Sequence, residues 1–449
     1  MTRVLAFADL HLKHGSPYDR EPGDRLEDQV KVGQRIVEIA RERGCSLILN
    51  AGDTFEGPVV QPEEYDAFLR IFTDAECPLG IAITGNGRHD AAKRAITAPD
   101  IVSGFMQVCS MPKVVVSERV AVACLPWCPV DRLVAARNGG ERATINQEAA
   151  AILIATARDL REECTARFPD HPAILLGHWP VEGSVTATGV EAITFAEPIL
   201  PLADLEALGF AAVFIGHVHK AQNLTIYNEE RGDHDTRGSS EEAREGDDRV
   251  RRSGVPREAA GSPNTQRSLG LLQAPHAALA APVIIPGSPL PLNFGEDGSH
   301  GVWIFDTETG AAEFVPIESR RFVEWRSDAL DGHDGDLDLD EMVRGLISPG
   351  LGQSIRDAIV KVSLHVTAEQ NKRIDRRKLT AALYEAGAWK VMPITPDVER
   401  ETRARVEGIR EDLDVSESLD LWITSQEIDA ETAELLRDRT RQYVQGERT

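Results

Sequence analysis

The chain has 449 residues, 42% of them hydrophobic, with 73 acidic against 49 basic side chains and a formal net charge of −24. Such a length can bury more than one core, and no apolar run approaches the roughly 20 residues of a membrane-spanning helix. The acid excess rules out a general basic field as a source of affinity for polyanions. The N-terminal MTRVLAFADLHL reads as a first strand and not as a cleavable leader. The six cysteines, none in a CxxC spacing, read as reduced thiols of a cytoplasmic protein.

In chain order, VLAFA (4–8) predicts a buried strand that delivers Asp9-Leu10-His11 at its carboxyl end. A helix is expected over about 26–43, with Leu26, Val30, Ile36, Ile39 and Ala40 on one side and Gly44 as its stop. LILNA then leads to Gly52-Asp53, and a helix is expected near 62–75. LGIAIT leads to Gly85-Asn86 and, two residues later, His89-Asp90. Helices near 91–107 and 145–167 flank short strands at KVVVS and VAVACLP. AILLG delivers His178, and AAVFIG delivers His217-Val218-His219. Strands alternating with helices predict a layered α/β fold, in which ligands gather at the carboxyl ends of neighbouring strands.

The residue types point to a chemistry. Imidazoles, carboxylates and one carboxamide, with no cysteine among them, suit borderline-hard divalent ions such as Mn²⁺. Two such ions can stabilise both the attacking and the leaving oxygen of a phosphodiester. One Asp or His after a strand is commonplace, but five motifs in register with strand ends are specific.

Taken with Pro286-Gly287-Ser288-Pro289, Asn293-Phe294-Gly295-Glu296 and the stretch Glu399–Val406 (ERETRARV), these motifs resemble the Mre11/SbcD nucleases of the calcineurin-like metallophosphoesterase superfamily. The resemblance implies an α/β fold: a four-layer metallophosphoesterase β-sandwich flanked by helices, with a smaller α+β capping domain and a helical C-terminal tail. It implies that Asp9, His11 and His219 hold one metal, that Asn86, His178 and His217 hold a second, and that Asp53 bridges them. His89 would match the catalytic histidine, oriented by Asp90. The chain departs from the usual GNH[DE] by Gly87 and Arg88, in GNGRHD; a left-handed Gly87 would let a bulged loop return His89 to the site. Lys13, His14, Arg88, Lys93, Arg94 and Lys220 are the candidate substrate contacts.

The implied activity is Mn-dependent DNA exonuclease and endonuclease action in repair and recombination, with an SbcC/Rad50-like ATPase as partner and a homodimer as the assembly. The helices near 62–75 and 91–107 are candidates for the dimer interface. Two alternatives stand beside it: a superfamily phosphodiesterase or phosphatase acting on a small molecule or phosphoprotein, and a catalytically weak DNA-tethering subunit. The nuclease domain would comprise 1–227 and 281–320. The charged segment 228–280 between them has a composition that reads as a disordered insert over most of its length. Residues 321–397, with a strand at DAIVKVSLHV, a helix at RRKLTAALYEAGA and a strand at AWKVMPI, would cap the site and position DNA. Residues 398–449 would form a helical partner-binding segment.

Overall fold

The computed structural model describes residues 2–73, 77–87, 106–117, 119–134, 142–186, 197–225, 281–296, 298–327, 355–398, 413–426 and 428–444. The elements run β1 (Arg3–Phe7), α1 (Asp24–Glu42), β2 (Cys45–Asn50), α2 (Pro62–Phe72), β3 (Leu79–Ile83), β4 (Met106–Cys109), β5 (Lys113–Ser117) and β6 (Val120–Leu125). Then come α3 (Val130–Leu133), α4 (Arg142–Arg167), β7 (Ala173–His178), α5 (Leu202–Ala207), β8 (Ala212–Gly216), β9 (Gln222–Asn223), β10 (Val283–Ile285), β11 (Gly301–Asp306) and β12 (Ala312–Pro316). The C-terminal part adds β13 (Phe322–Ser327), β14 (Ile359–Val366), α6 (Ala368–Arg373), α7 (Arg376–Glu385), β15 (Lys390–Val391), β16 (Asp397–Val398), α8 (Val415–Ser425) and α9 (Ala430–Val444).

Two six-stranded sheets carry the fold, ordered β12-β11-β1-β2-β3-β4 and β5-β6-β7-β8-β10-β9. In the first, β1 to β4 are parallel and β11 and β12 antiparallel. In the second, β6, β7, β8 and β10 are parallel, with β5 and β9 antiparallel at the edges. Period-two alternation sorts the side chains into three cores. Val4, Ala6, Leu47, Leu49, Ile81 and Ile83 from the first sheet meet Val122, Ile174, Leu176, Phe214 and Ile284 from the second. The opposite face of the first sheet, through Leu5, Phe7 and Ile48, packs on Val30 and Ile36 of α1 and on Phe68, Ile71 and Phe72 of α2. The opposite face of the second, through Ala123, Leu175 and Val213, packs on Leu153, Ile154 and Ala157 of α4. The result is helix on sheet on sheet on helix. Each buried large apolar side chain in these layers contributes about 1.5–3 kcal/mol.

Element positions differ from expectation mainly at the ends. α1 covers 24–42, α2 stops at Phe72, and α4 starts at Arg142. Of the helix expected near 91–107, residues 91–105 lie outside the described residues, and 106 and 107 begin β4. The segment 228–280 also lies outside them.

Contacts divide the chain into two compact units that interleave in sequence. One unit is Met1–Trp325, Gly345–Lys361 and Thr380–Pro393; the other is Arg326–Arg344, Val362–Leu379 and Ile394–Thr449. Within the first, Arg320 accounts for part of the grouping. Its guanidinium binds Asp28 at 2.8 Å, pairs with Asp357 and lies 4.0 Å over the Trp389 ring. Lys390 Nζ likewise donates to the Asp19 carbonyl at 2.7 Å. Within the second, α8 and α9 form a helical hairpin. Asp414 caps α8 by accepting from the Ser416 and Glu417 N–H groups, while Trp422 and Leu435 stay partly exposed.

Candidate metal centre

The parallel strands end level with one another. Phe7 pairs with Asn50, Asn50 with Ala82, and His178 with Gly216. The loops leaving β1, β2, β3 and β8 therefore emerge on one rim, beside the last residue of β7. Asp9 N–H donates to the Gly52 carbonyl and His11 N–H to the Asp53 carbonyl, both at 3.0 Å, which laces the first two loops together. His217 N–H donates to both Asp9 carboxylate oxygens at 3.2 Å, and Asn86 N–H to Asp53 Oδ1 at 2.7 Å.

This lacing requires unusual backbone. Five described non-glycine residues have left-handed φ, and four of them are Asp9, His11, Asp53 and His217. Asp and His tolerate that region better than most residues, but each such residue costs of the order of 1–3 kcal/mol and needs surrounding bonds to hold it. Gln29 of α1 supplies some of them: its Nε2 donates to the His11 carbonyl at 2.6 Å and its Oε1 accepts from Lys13 N–H at 3.1 Å. Asn50 braces the second loop, accepting from Gly52 N–H and donating to Thr54 Oγ1. Gly85 is demanded by proximity, since a Cβ there would sit 2.1 Å from Asp53 Oδ1 and 2.3 Å from Asp53 N.

Two donor clusters result. Asp9, His11 and His219 form one; Asp9, Asp53 and His178 form the other, with donor atoms within 4.8 Å of each other in each. Asp9 belongs to both. Asp53 Oδ2 lies 3.3 Å from His178 Nε2 and 3.7 Å from His11 Nε2, so it too faces both sides. Asp9, His11, Asp53 and His178 are buried. His217 and Asn86 stand just outside these clusters, with the His217 ring edge-on to His178 at 5.4 Å between centroids.

Each imidazole is oriented by an acceptor. His178 Nδ1 hydrogen-bonds the Ala51 carbonyl at 2.7 Å and His219 Nδ1 hydrogen-bonds Glu296 Oε1 at 3.2 Å, while His11 Nδ1 lies at ion-pair distance, 2.8 Å, from Glu56 Oε2. A ring whose Nδ1–H donates outward turns its Nε2 lone pair inward. His178 Nε2 is buried, makes no hydrogen bond and faces the Asp53 carboxylate. An imidazole nitrogen facing a carboxylate in a dry site needs positive charge between them, which a proton supplies in the metal-free chain and a metal ion could supply in its place.

The titration behaviour reflects the same field. Burial pulls the His178 imidazolium down, but Asp53, Asp9 and the Ala51 carbonyl outweigh it and raise the pKa to about 10. Burial also opposes the His219 imidazolium, yet its bond to Glu296 and the charges of Asp9 and Asp53 raise it to about 8. Carboxylates that hold a proton so firmly on imidazole would equally attract a divalent ion. Buried oxygen and imidazole donors without thiolate fit Mn²⁺ or a similar ion.

Of the other expected site residues, His89, Asp90, Arg88, Lys93 and Arg94 lie outside the described residues. Among the described residues Gly87 is not one with a left-handed φ. Its role is proximity: a Cβ there would lie 2.7 Å from Trp127 Cζ3. Lys13 Nζ is 3.6 Å from Glu56, and His14 N–H donates to Glu64. Lys220 is half-buried two residues before Gln222, which donates to its carbonyl. Sequence reasoning missed Gln29, Glu56 and Glu197, and gave Glu296 no role beyond its motif. Their signal is tertiary: each meets its partner across 18 to 111 positions of chain.

No family model and no curated protein sequence matches the chain. Similar solved structures include a Thermus thermophilus protein at 12% identity, covering 71% of this chain and 99% of that one with a TM-score of 0.36. A second is an archaeal phosphodiesterase at 11% identity, covering 70% and 100%, with a TM-score of 0.29. A purple acid phosphatase from yellow lupin seeds matches at 14% identity over 49% of this chain and 38% of its own, also with a TM-score of 0.29. Likenesses this distant carry no weight about chemistry, which rests on the residues themselves.

Proposed function

We propose that the chain is a two-metal phosphodiester hydrolase of metallophosphoesterase type. The observation that carries this reading is the pair of donor clusters that share Asp9 and meet again at Asp53. Asp9, His11 and His219 would hold one ion, Asn86, His178 and His217 would hold the other, and Asp53 would serve both. When bound, such a pair supplies Lewis acidity that lowers the pKa of water and stabilises charge on phosphoryl oxygens. The chain's own part is to keep the Nε2 atoms of His11, His178 and His219 turned inward. It also excludes bulk water by burying Asp9 and His178 completely. His89 and Asp90, outside the described residues, are the proposed catalytic pair by resemblance, and groups in such a role contribute about a hundred- to ten-thousand-fold in rate.

The finer reading is a manganese-dependent nuclease of Mre11/SbcD type that cuts DNA ends beside an SbcC/Rad50-like ATPase, as a homodimer. It is supported by the NFGE segment, whose Glu296 reaches the ligand His219. Lys13, His14, Arg88, Lys93, Arg94 and Lys220 are its proposed DNA contacts, and α8 with α9 its partner surface. The net charge of −24 favours a second reading, a phosphodiesterase for a small or non-nucleic substrate. Hydrolysis of bis-p-nitrophenyl phosphate and of blunt duplex DNA, each with Mn²⁺ and with EDTA, separates the two. Metal-dependent cleavage of both supports the nuclease. Cleavage of the small ester alone supports the second reading, and activity surviving EDTA overturns both. His89→Ala should cut turnover strongly while Mn²⁺ binding persists.

A further inference from the structure

We infer that Glu197 is a positioning residue for the second ion, setting which atom of Asn86 and which atom of His217 face it. The inference rests on the two-metal reading above. Glu197 Oε1 accepts from Asn86 Nδ2 at 3.1 Å, and Glu197 Oε2 lies 3.1 Å from His217 Nε2. A carboxylate only accepts. It therefore fixes the Asn86 amide with its NH₂ toward Glu197, leaving Oδ1 for a metal; an amide nitrogen is no ligand for a divalent ion. By the same logic it holds the proton of His217 on Nε2 and leaves the Nδ1 lone pair to ligate.

His217 is thereby the exception in the centre. His11, His178 and His219 are held through Nδ1 and offer Nε2, whereas His217 is held through Nε2 and offers Nδ1. His217 also differs in backbone, with φ of 105° against values near 50° at Asp9, His11 and Asp53. One side chain thus coordinates the orientation of two ligands delivered by different sheets, Asn86 after β3 and His217 after β8.

Glu197→Gln tests this. The amide keeps the size but offers one acceptor and one donor, so it can satisfy Asn86 or His217 and not both. Calorimetric titration of the metal-free chain with Mn²⁺ should give two ions for the wild type. In Glu197→Gln the second ion should bind about 10- to 100-fold more weakly with the first unchanged. The paramagnetic resonance spectrum at two equivalents should change from a coupled pair to an isolated ion, and Glu197→Asp should recover part of the affinity. Two ions bound equally well by Glu197→Gln overturn the inference alone. Equal loss of both ions, or a drop in the melting temperature of the metal-free variant, makes Glu197 merely structural and also overturns it. A wild type that binds fewer than two ions overturns the two-metal reading itself, and the inference with it.

Discussion

The two sides of the centre are built by different means. Asp9, His11, Asp53 and His178 are buried, with loops tied together by backbone bonds and three of the four in left-handed conformations. Asn86 and His217 are half-buried, and their side chains meet through a third side chain, Glu197. The first side is preorganised by the chain's own path, so its geometry changes only if the loops change. The second side has backbone ties too, from Asn86 N–H to Asp53 and from His217 N–H to Asp9, but Glu197 sets how its two side chains are turned. Of the three donors proposed for the second ion only His178 belongs to the rigid set, so that ion's site is the more easily adjusted.

The sharpest way to break this comparison is to remove the residue that faces both sides. Asp53→Ala takes away the carboxylate shared by His11 and His178 and the acceptor of Asn86 N–H. Binding of the ion pair should be lost, and esterase activity should fall to the level seen in EDTA. Two Mn²⁺ ions still bound in calorimetry would show that Asp9 alone joins the clusters.

Next in size is Gly85→Ala. Its Cβ would meet the backbone nitrogen of Asp53 at 2.3 Å, and that nitrogen cannot swing aside. Overpacking of this kind typically costs about 1–3 kcal/mol, readable as a lowered denaturant midpoint. Gly87→Ala meets only the rim of the Trp127 ring and should cost less. Equal losses for the two would mean that the Asp53 loop yields more readily than its hydrogen bonds imply.

These sites also show what sequence alone can and cannot supply. Asp9, Asp53, His178 and His217 were legible because each follows an apolar run whose strand character is local. The layered fold was legible for the same reason, since VLAFA and AILLG alternate their faces between two cores. The partners of those candidate ligands were not legible. Gln29 sits on the buried side of α1, and Glu56 and Glu197 lie outside helices and strands; only folding brings them to the β1 loop, His11 and Asn86. Strand β12 escaped notice because AEFVP, half-exposed along its length, looks like a turn flank until it pairs with β11. The expectation for Gly87 failed for a related reason: its need is room for Trp127, a residue 40 positions away, and not a backbone twist.

A smaller effect probes the first cluster through its outer carboxylate. Glu296→Gln leaves His219 Nδ1 beside an amide that can still accept but no longer carries charge. Loss of a ligand's carboxylate partner typically weakens metal affinity about 10- to 100-fold, and here the loss should fall on the ion held with Asp9 and His11. Paired with Glu197→Gln, it asks whether the two sides respond separately. If both variants weaken the same ion, the sides are not distinct.

The smallest expected effect is a pH dependence whose direction differs with and without metal. In the metal-free chain burial opposes the His219 imidazolium, but Glu296, Asp9 and Asp53 outweigh it and raise the pKa from 6.5 to about 8. A raised folded-state pKa contributes stability that is fully present below the unfolded value and is lost as pH rises through the folded one. His219 should therefore add at most about 2 kcal/mol at pH 6, and that contribution should fade by about pH 8.5. His178, raised to about 10, should extend the decline into alkaline solution. Divalent ions need the same imidazoles deprotonated, so binding releases protons and tightens as pH rises. Melting temperature in EDTA should consequently fall from pH 6.5 to 8.5, while the increment produced by Mn²⁺ grows across that window. Glu296→Gln should flatten the metal-free slope, because the bond that most strongly raises His219 loses its charge. A wild-type curve already flat in EDTA, with a constant Mn²⁺ increment, would mean that the imidazoles are not held in a carboxylate field, and the contrast between the two sides would lose its electrostatic half.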